Sequence, residues 1–141
     1  MDIYRSVRVI LPAAVGSAIY LALLSGIYSV APYADIPAWW SQRQPRGSIA
    51  ALSWVAFVDV CGALVAAIPV AVVLALLAKE GRVRTAVGIG AITALCIGIG
   101  GLVQYGTPPS LGGWVVRLAQ LISVLLSVAA VVFLIGGRRP A

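Results

Sequence analysis

Residues 49–78 read IAALSWVAFVDVCGALVAAIPVAVVLALLA, thirty positions with one charge, Asp59. A hydrocarbon core about 30 Å thick needs roughly 20 apolar residues in a helix rising 1.5 Å per residue. This run is long enough to cross a bilayer with residues left over for tilt or for turns in the interface. Three more runs share its character, at about 7–31, 85–105 and 113–135. The pattern predicts an all-α integral membrane four-helix bundle, one domain over residues 1–141, with four spans and short loops.

Composition agrees. The chain is 62% hydrophobic and 10% charged, with a mean hydropathy of +1.06. Soluble domains carry about 25% charged residues. Arg5 and Arg8 at the start of the first run resemble the basic start of a signal peptide. That run is nevertheless long enough to span, and the small-residue stretch Ser29-Val30-Ala31 is followed by Pro32, so an uncleaved first span is expected. Pro69 should kink the second helix locally, and Gly81 suits a helix C-cap.

The formal net charge is +6, but the basic residues sit at helix ends and in turns, not along one face. They read as lipid anchors that set topology, and nucleic acid is not an expected partner. With four alternating spans, Arg5, Arg8, Lys79, Arg82, Arg84, Arg138 and Arg139 share one side, and Arg43 and Arg46 the other. The positive-inside rule then places both termini in the cytoplasm, and the basic turns suit a bacterial inner (plasma) membrane.

The aromatics favour the opposite side. Tyr28, Tyr33, Trp39, Trp40, Trp54, Phe57, Tyr105 and Trp114 all map there. They read as interface anchors or as a docking surface around Trp39-Trp40.

Lipid gives no hydrophobic drive between helices, so close packing falls to small residues. Ala14, Ala18, Ala22 and Gly26 form one such stripe, and Gly90, Ala94 and Gly98 another, with Gly101 beyond; Gly62, Ala63, Ala66 and Ala67 lie in the second run. Packing within the bundle is the first expectation, and pairing between copies the second.

Asp59 and Arg117 are the two charges inside the spans. A charge at the membrane centre costs about 2.5–3.5 kcal/mol on insertion scales, so such residues usually face a partner or a path. Their depths agree to within about one or two turns. Three roles are open to Asp59: an ion pair with Arg117 that fixes register, an acid open to outer water, or a proton- or cation-coupling carboxylate. Gln104, Gln120 and Ser127 are candidates to line the same interior, and Arg117 could instead reach outward to the interface.

The chain has no histidine, and Cys61 and Cys96 form no C-x-x-C motif. Both thiols fall in apolar runs, where they act as small hydrophobes. Gly98, Gly100 and Gly101 are followed by no P-loop lysine. No nucleophile–base pair or carboxylate pair can be assembled on one face. The expectation is therefore no enzyme, no cofactor and no metal site. It is instead a small accessory, assembly or regulatory subunit, binding membrane lipids and another membrane protein or itself. The alternative is a small oligomeric transporter or channel with Asp59 as its coupling site.

Overall fold

A computed structural model describes residues 3–31, 35–42, 47–77 and 81–136. The elements are α1 (Ile3–Val30), α2 (Ala38–Ser41), α3 (Gly47–Leu77), α4 (Arg82–Tyr105) and α5 (Leu111–Gly136). Four of these helices, α1, α3, α4 and α5, are long and apolar enough to cross a membrane. The one-turn α2 is an addition to the expected elements, where a loop had been expected. Tyr33, Arg43, Arg46, Lys79, Arg138 and Arg139 lie outside the described residues.

The helices close into a ring in the order α1, α3, α5, α4. α3 packs most extensively on α5, and α4 on both α5 and α1. α1 and α5 stand on one diagonal, α3 and α4 on the other. Directions follow from the contacts. Tyr20 meets Ala63 while Tyr28 meets Asp59, so α1 and α3 are antiparallel. Gly90 lies against Leu125 and Gly101 against Arg117, so α4 and α5 are antiparallel too. The Val30, Gly47, Tyr105 and Leu111 ends therefore gather at one end of the bundle. It carries the aromatics and is called here the aromatic end; the other is the basic end.

Large apolar side chains face outward: Leu11, Val65, Leu76, Leu95, Leu126 and Phe133 are all exposed. Soluble monomers rarely expose contiguous apolar patches beyond a few hundred Å². A belt of this kind on four long apolar helices is that of a membrane protein. The interior is built from smaller residues, including Ala63, Ala66, Ala67, Ala71, Ala86, Val124 and Val128. Small side chains let backbones approach closely and gain dispersion contacts that lipid cannot supply.

Gly81 and Gly106 adopt left-handed φ values of 70° and 71°. Gly106 ends α4, donating its N–H to the Leu102 carbonyl at 3.0 Å. Gly81 sits immediately before α4, where its carbonyl accepts the Thr85 N–H at 3.0 Å; its expected capping of the preceding helix involves residues 78–80, which lie outside the described residues. α3 is helical through Pro69, and α1 through Pro12; both prolines are exposed, with their rings turned away from the packed interior.

One small-residue stripe does not pack within the bundle, contrary to the first expectation for it. Ala14, Ala18, Ala22 and Gly26 are all exposed, and a Cβ built on Gly26 meets nothing within 4 Å. The face of α1 that turns inward carries Ala13, Ser17, Tyr20 and Leu24. Packing chose the face whose hydroxyls find partners inside the bundle, and the small residues were left on the opposite side. The other stripes do pack. Gly62, Ala63, Ala66 and Ala67 are buried, with Gly62 under the rims of Ile27 and Tyr28. Gly90 is buried, and Ala94 and Gly98 are partly so.

Candidate functional site

The polar side chains of the interior come from all four long helices. Asp59 on α3 is 3% exposed. Tyr28 on α1 donates its hydroxyl to the Asp59 backbone carbonyl at 3.3 Å. The Asp59 carboxylate interacts electrostatically with that hydroxyl, and the Gln120 side chain of α5 lies within hydrogen-bonding reach of it. Leu52 touches Gly112 at the aromatic end. Asp59 lies seven residues below Leu52 and Gln120 eight below Gly112, so at 1.5 Å per residue the two are level to within about 2 Å.

A second polar layer lies deeper. Tyr20, fully buried, donates to the Ala63 carbonyl at 3.1 Å and shares a hydrogen bond with the Ser127 hydroxyl. Because the Tyr20 proton goes to Ala63, Ser127 donates to Tyr20; the Val124 carbonyl of its own helix, 3.3 Å away, is the competing acceptor for the Ser127 proton. Ser17 reaches the Ala13 carbonyl at 2.6 Å and the Ile89 carbonyl of α4 at 3.4 Å. Thr93 is 1% exposed, and its hydroxyl oxygen has no hydrogen-bond partner. It lies on the stripe of Ala86, Ile89 and Gly90, which faces the bundle centre.

Arg117 goes elsewhere. Its guanidinium donates to the Gly98 carbonyl of α4 at 3.0 Å and lies over Gly101, in space a Cβ would fill. Its depth matches that of Asp59, but its direction does not. Three positions along a helix turn by about 300°, so Arg117 and Gln120 diverge by about 60°. One side chain faces α4 and the other the Tyr28 hydroxyl. Gln104, proposed as a lining residue, is exposed in the last turn of α4. Cys61 and Cys96 are free thiols on the outside of the bundle, so their placement in apolar runs reflected lipid-facing positions.

The aromatics divide in the same way. Trp40 donates its indole N–H to Ser53 at 3.0 Å, tying α2 to α3. Its ring lies 5.4 Å from Trp54 and 5.1 Å from Phe57, and Trp39 packs edge-on against Trp40 and Trp54. Trp54 is 7% exposed, so it anchors α2 rather than meeting lipid. Trp39, Tyr105 and Trp114 are exposed.

Sequence reasoning named Asp59, Gln120 and Ser127. It missed Tyr20, Ser17 and Thr93, and took Tyr28 for an interface aromatic. The 3–4 spacing of Ser17, Tyr20, Leu24 and Tyr28, three of them carrying hydroxyls, was the available signal for the inward face of α1. Comparison with known proteins adds no further guide: the chain matches no family model, no curated protein and no solved structure.

Proposed function

We propose that this protein is a small, non-catalytic membrane subunit that docks against another transmembrane helix, of a different membrane protein or of a second copy. The observation that carries this reading is the exposed face of α1. Ala14, Ala18, Ala22 and Gly26 form a strip of small residues on the outside of the bundle. Facing lipid, such a strip gains nothing over Leu or Ile. Facing a helix, it permits close backbone approach. The aromatic end, with Trp39 exposed above the Trp40–Trp54–Phe57 stack on α2 and α3, offers a second exposed surface. The distribution of arginine and lysine favours a bacterial inner membrane with both termini cytoplasmic.

The experiment is recovery in mild detergent, followed by identification of any stoichiometric companion and measurement of particle mass. Ala18→Leu and Ala22→Leu should release the companion, or turn a dimer into a monomer, and leave helix content unchanged. A wild-type protein that is monomeric and without a companion, or variants that associate as the wild type does, would overturn the reading. A C-terminal reporter that is active only on the outer side would refute the orientation.

A second reading has one observation in its favour. Asp59 is buried beside Tyr28 and Gln120, as a coupling carboxylate of a small oligomeric carrier would be. Asp59→Asn would then abolish transport and spare insertion.

A further inference from the structure

Arg117 leans toward the aromatic end. Helical side chains tilt toward the N-terminus of their helix. The N-terminus of α5, at Leu111, lies at that end. Gly90 of α4 meets the Leu125 backbone of the antiparallel α5. Eight residues on from that contact along each helix, Gly98 comes level with Arg117; three further on, Gly101 comes level with Trp114. The guanidinium lies over Gly101, so it stands about one turn nearer the aromatic end than its own backbone. The 26 residues of α5 cover about 39 Å, against a hydrocarbon core of about 30 Å. With α5 centred in the bilayer, about 4–5 Å at each end lies outside the hydrocarbon, which puts the Trp114 level at its edge. The exposed Tyr105 and Trp114 suit that depth.

The cation is held there in a fixed notch between two helices. The Gly98 carbonyl accepts one of its N–H groups at 3.0 Å, and Gly101, with no side chain, leaves it room. A guanidinium has five N–H donors. Among the described residues this is its single hydrogen bond, and the acceptor is neutral. Neither α4 nor α5 contains an acidic residue. Gln104 is exposed one turn beyond Gly101 on the same stripe of α4, and its amide nitrogen offers two more donors.

We propose that Arg117, in the notch of Gly98 and Gly101, binds with Gln104 the phosphate of an anionic phospholipid in the leaflet at the aromatic end. The planar fork of arginine matches two phosphate oxygens, and such charge-assisted bonds are stronger than neutral ones. Water at the hydrocarbon edge would satisfy the donors and leave the charge uncompensated; a phosphate does both. With no acid on α4 or α5, a headgroup ammonium finds no counter-charge on these helices. The headgroup is therefore one whose net charge is that of its phosphate, as in phosphatidylglycerol. The site lies between α4 and α5 and is independent of the docking strip on α1.

Photolabelling of the full chain in phosphatidylcholine vesicles tests the site. The probe is phosphatidylglycerol with a diazirine beside its glycerol backbone, and adducts are located by peptide mass. They should concentrate on residues 98–105 and 114–121. Diacylglycerol with the same diazirine, which lacks the phosphate, should show no such concentration. Arg117→Leu should lower the adduct about tenfold, and Gln104→Leu about threefold. Arg84→Gln, exposed at the basic end, should leave it unchanged. Excess inorganic phosphate should not compete with the lipid. Equal labelling by the two probes, wild-type labelling of Arg117→Leu, or an equal loss in Arg84→Gln would overturn the proposal. Competition by inorganic phosphate would overturn the lipid as its source and favour a soluble phosphate compound. If Arg117→Leu does not insert, the comparison of the two probes on the wild type and the loss in Gln104→Leu decide the matter.

Discussion

Tyr20 of α1 reaches Ser127 of α5 across a diagonal of the bundle, between two helices that make no close backbone approach among the described residues. The same hydroxyl donates to the Ala63 carbonyl of α3. One side chain thus fixes three helices at one level. Tyrosine does this because its hydroxyl stands far enough from its own backbone to cross the ring of helices.

Tyr20→Phe should therefore cost about 0.5–1.5 kcal/mol, the range for one buried hydrogen bond with its ring left in place. Combined with Ser127→Ala, the two losses should fall short of additivity by about 0.5 kcal/mol or more. Unfolding in a denaturing detergent gradient measures both. Strict additivity would mean that the diagonal bond is not formed.

Gly90 and Gly26 should respond in opposite ways to the same change. A Cβ at Gly90 collides with the Leu125 carbonyl, a backbone atom that cannot move without separating α4 from α5. Gly90→Ala should cost about 1–3 kcal/mol. Gly26→Ala has open space and should be neutral or stabilising by up to about 1 kcal/mol, the helix-propensity gain. The same unfolding assay ranks them.

Arg117 and Gly101 occupy one volume. Gly101→Ala should be destabilising in the wild type, because the new methyl displaces the guanidinium from Gly98. In an Arg117→Leu background the same change should cost less. Arg117→Leu alone should cost little, since the lost hydrogen bond to Gly98 is offset by removing a charge from among apolar helices. Equal costs of Gly101→Ala in both backgrounds would show that the two residues do not meet.

Trp40 fastens α2. Trp40→Phe loses the bond to Ser53 and should loosen α2 modestly; Trp40→Ala should also uncover Trp54, which is now buried beneath it. Quenching of tryptophan fluorescence by iodide reads the difference. Accessible fluorescence should rise in the alanine variant beyond what loss of one indole explains. Unchanged quenching would mean that Trp54 is covered by something other than Trp40.

The long helices were legible at a distance. The four runs matched α1, α3, α4 and α5 with ends displaced by a few residues, because unbroken apolar sequence leaves the backbone no partners but its own. The short α2 was not legible. It is a single turn, held by Trp40 on Ser53 and by ring packing, and its four residues carry no periodicity to read.

The site was legible in part. Asp59, Gln120 and Ser127 stood out because polar groups are rare in apolar runs. The partner of Arg117 did not, since matched depth says nothing about which neighbour a side chain faces. Tyr28 was hidden among aromatics at the interface, where tyrosine needs no further explanation.

Sequence by itself determined that this chain forms four long apolar helices, because length and hydropathy act on each segment alone. Only the tertiary structure decided which face of each helix turned inward. In lipid, leucine and valine are equally at home outside or inside, so hydropathy exerts no torque about the helix axis. The choice fell to the hydrogen bonds of Ser17 and Tyr20, the tight approach at Gly90, and the guanidinium over Gly101.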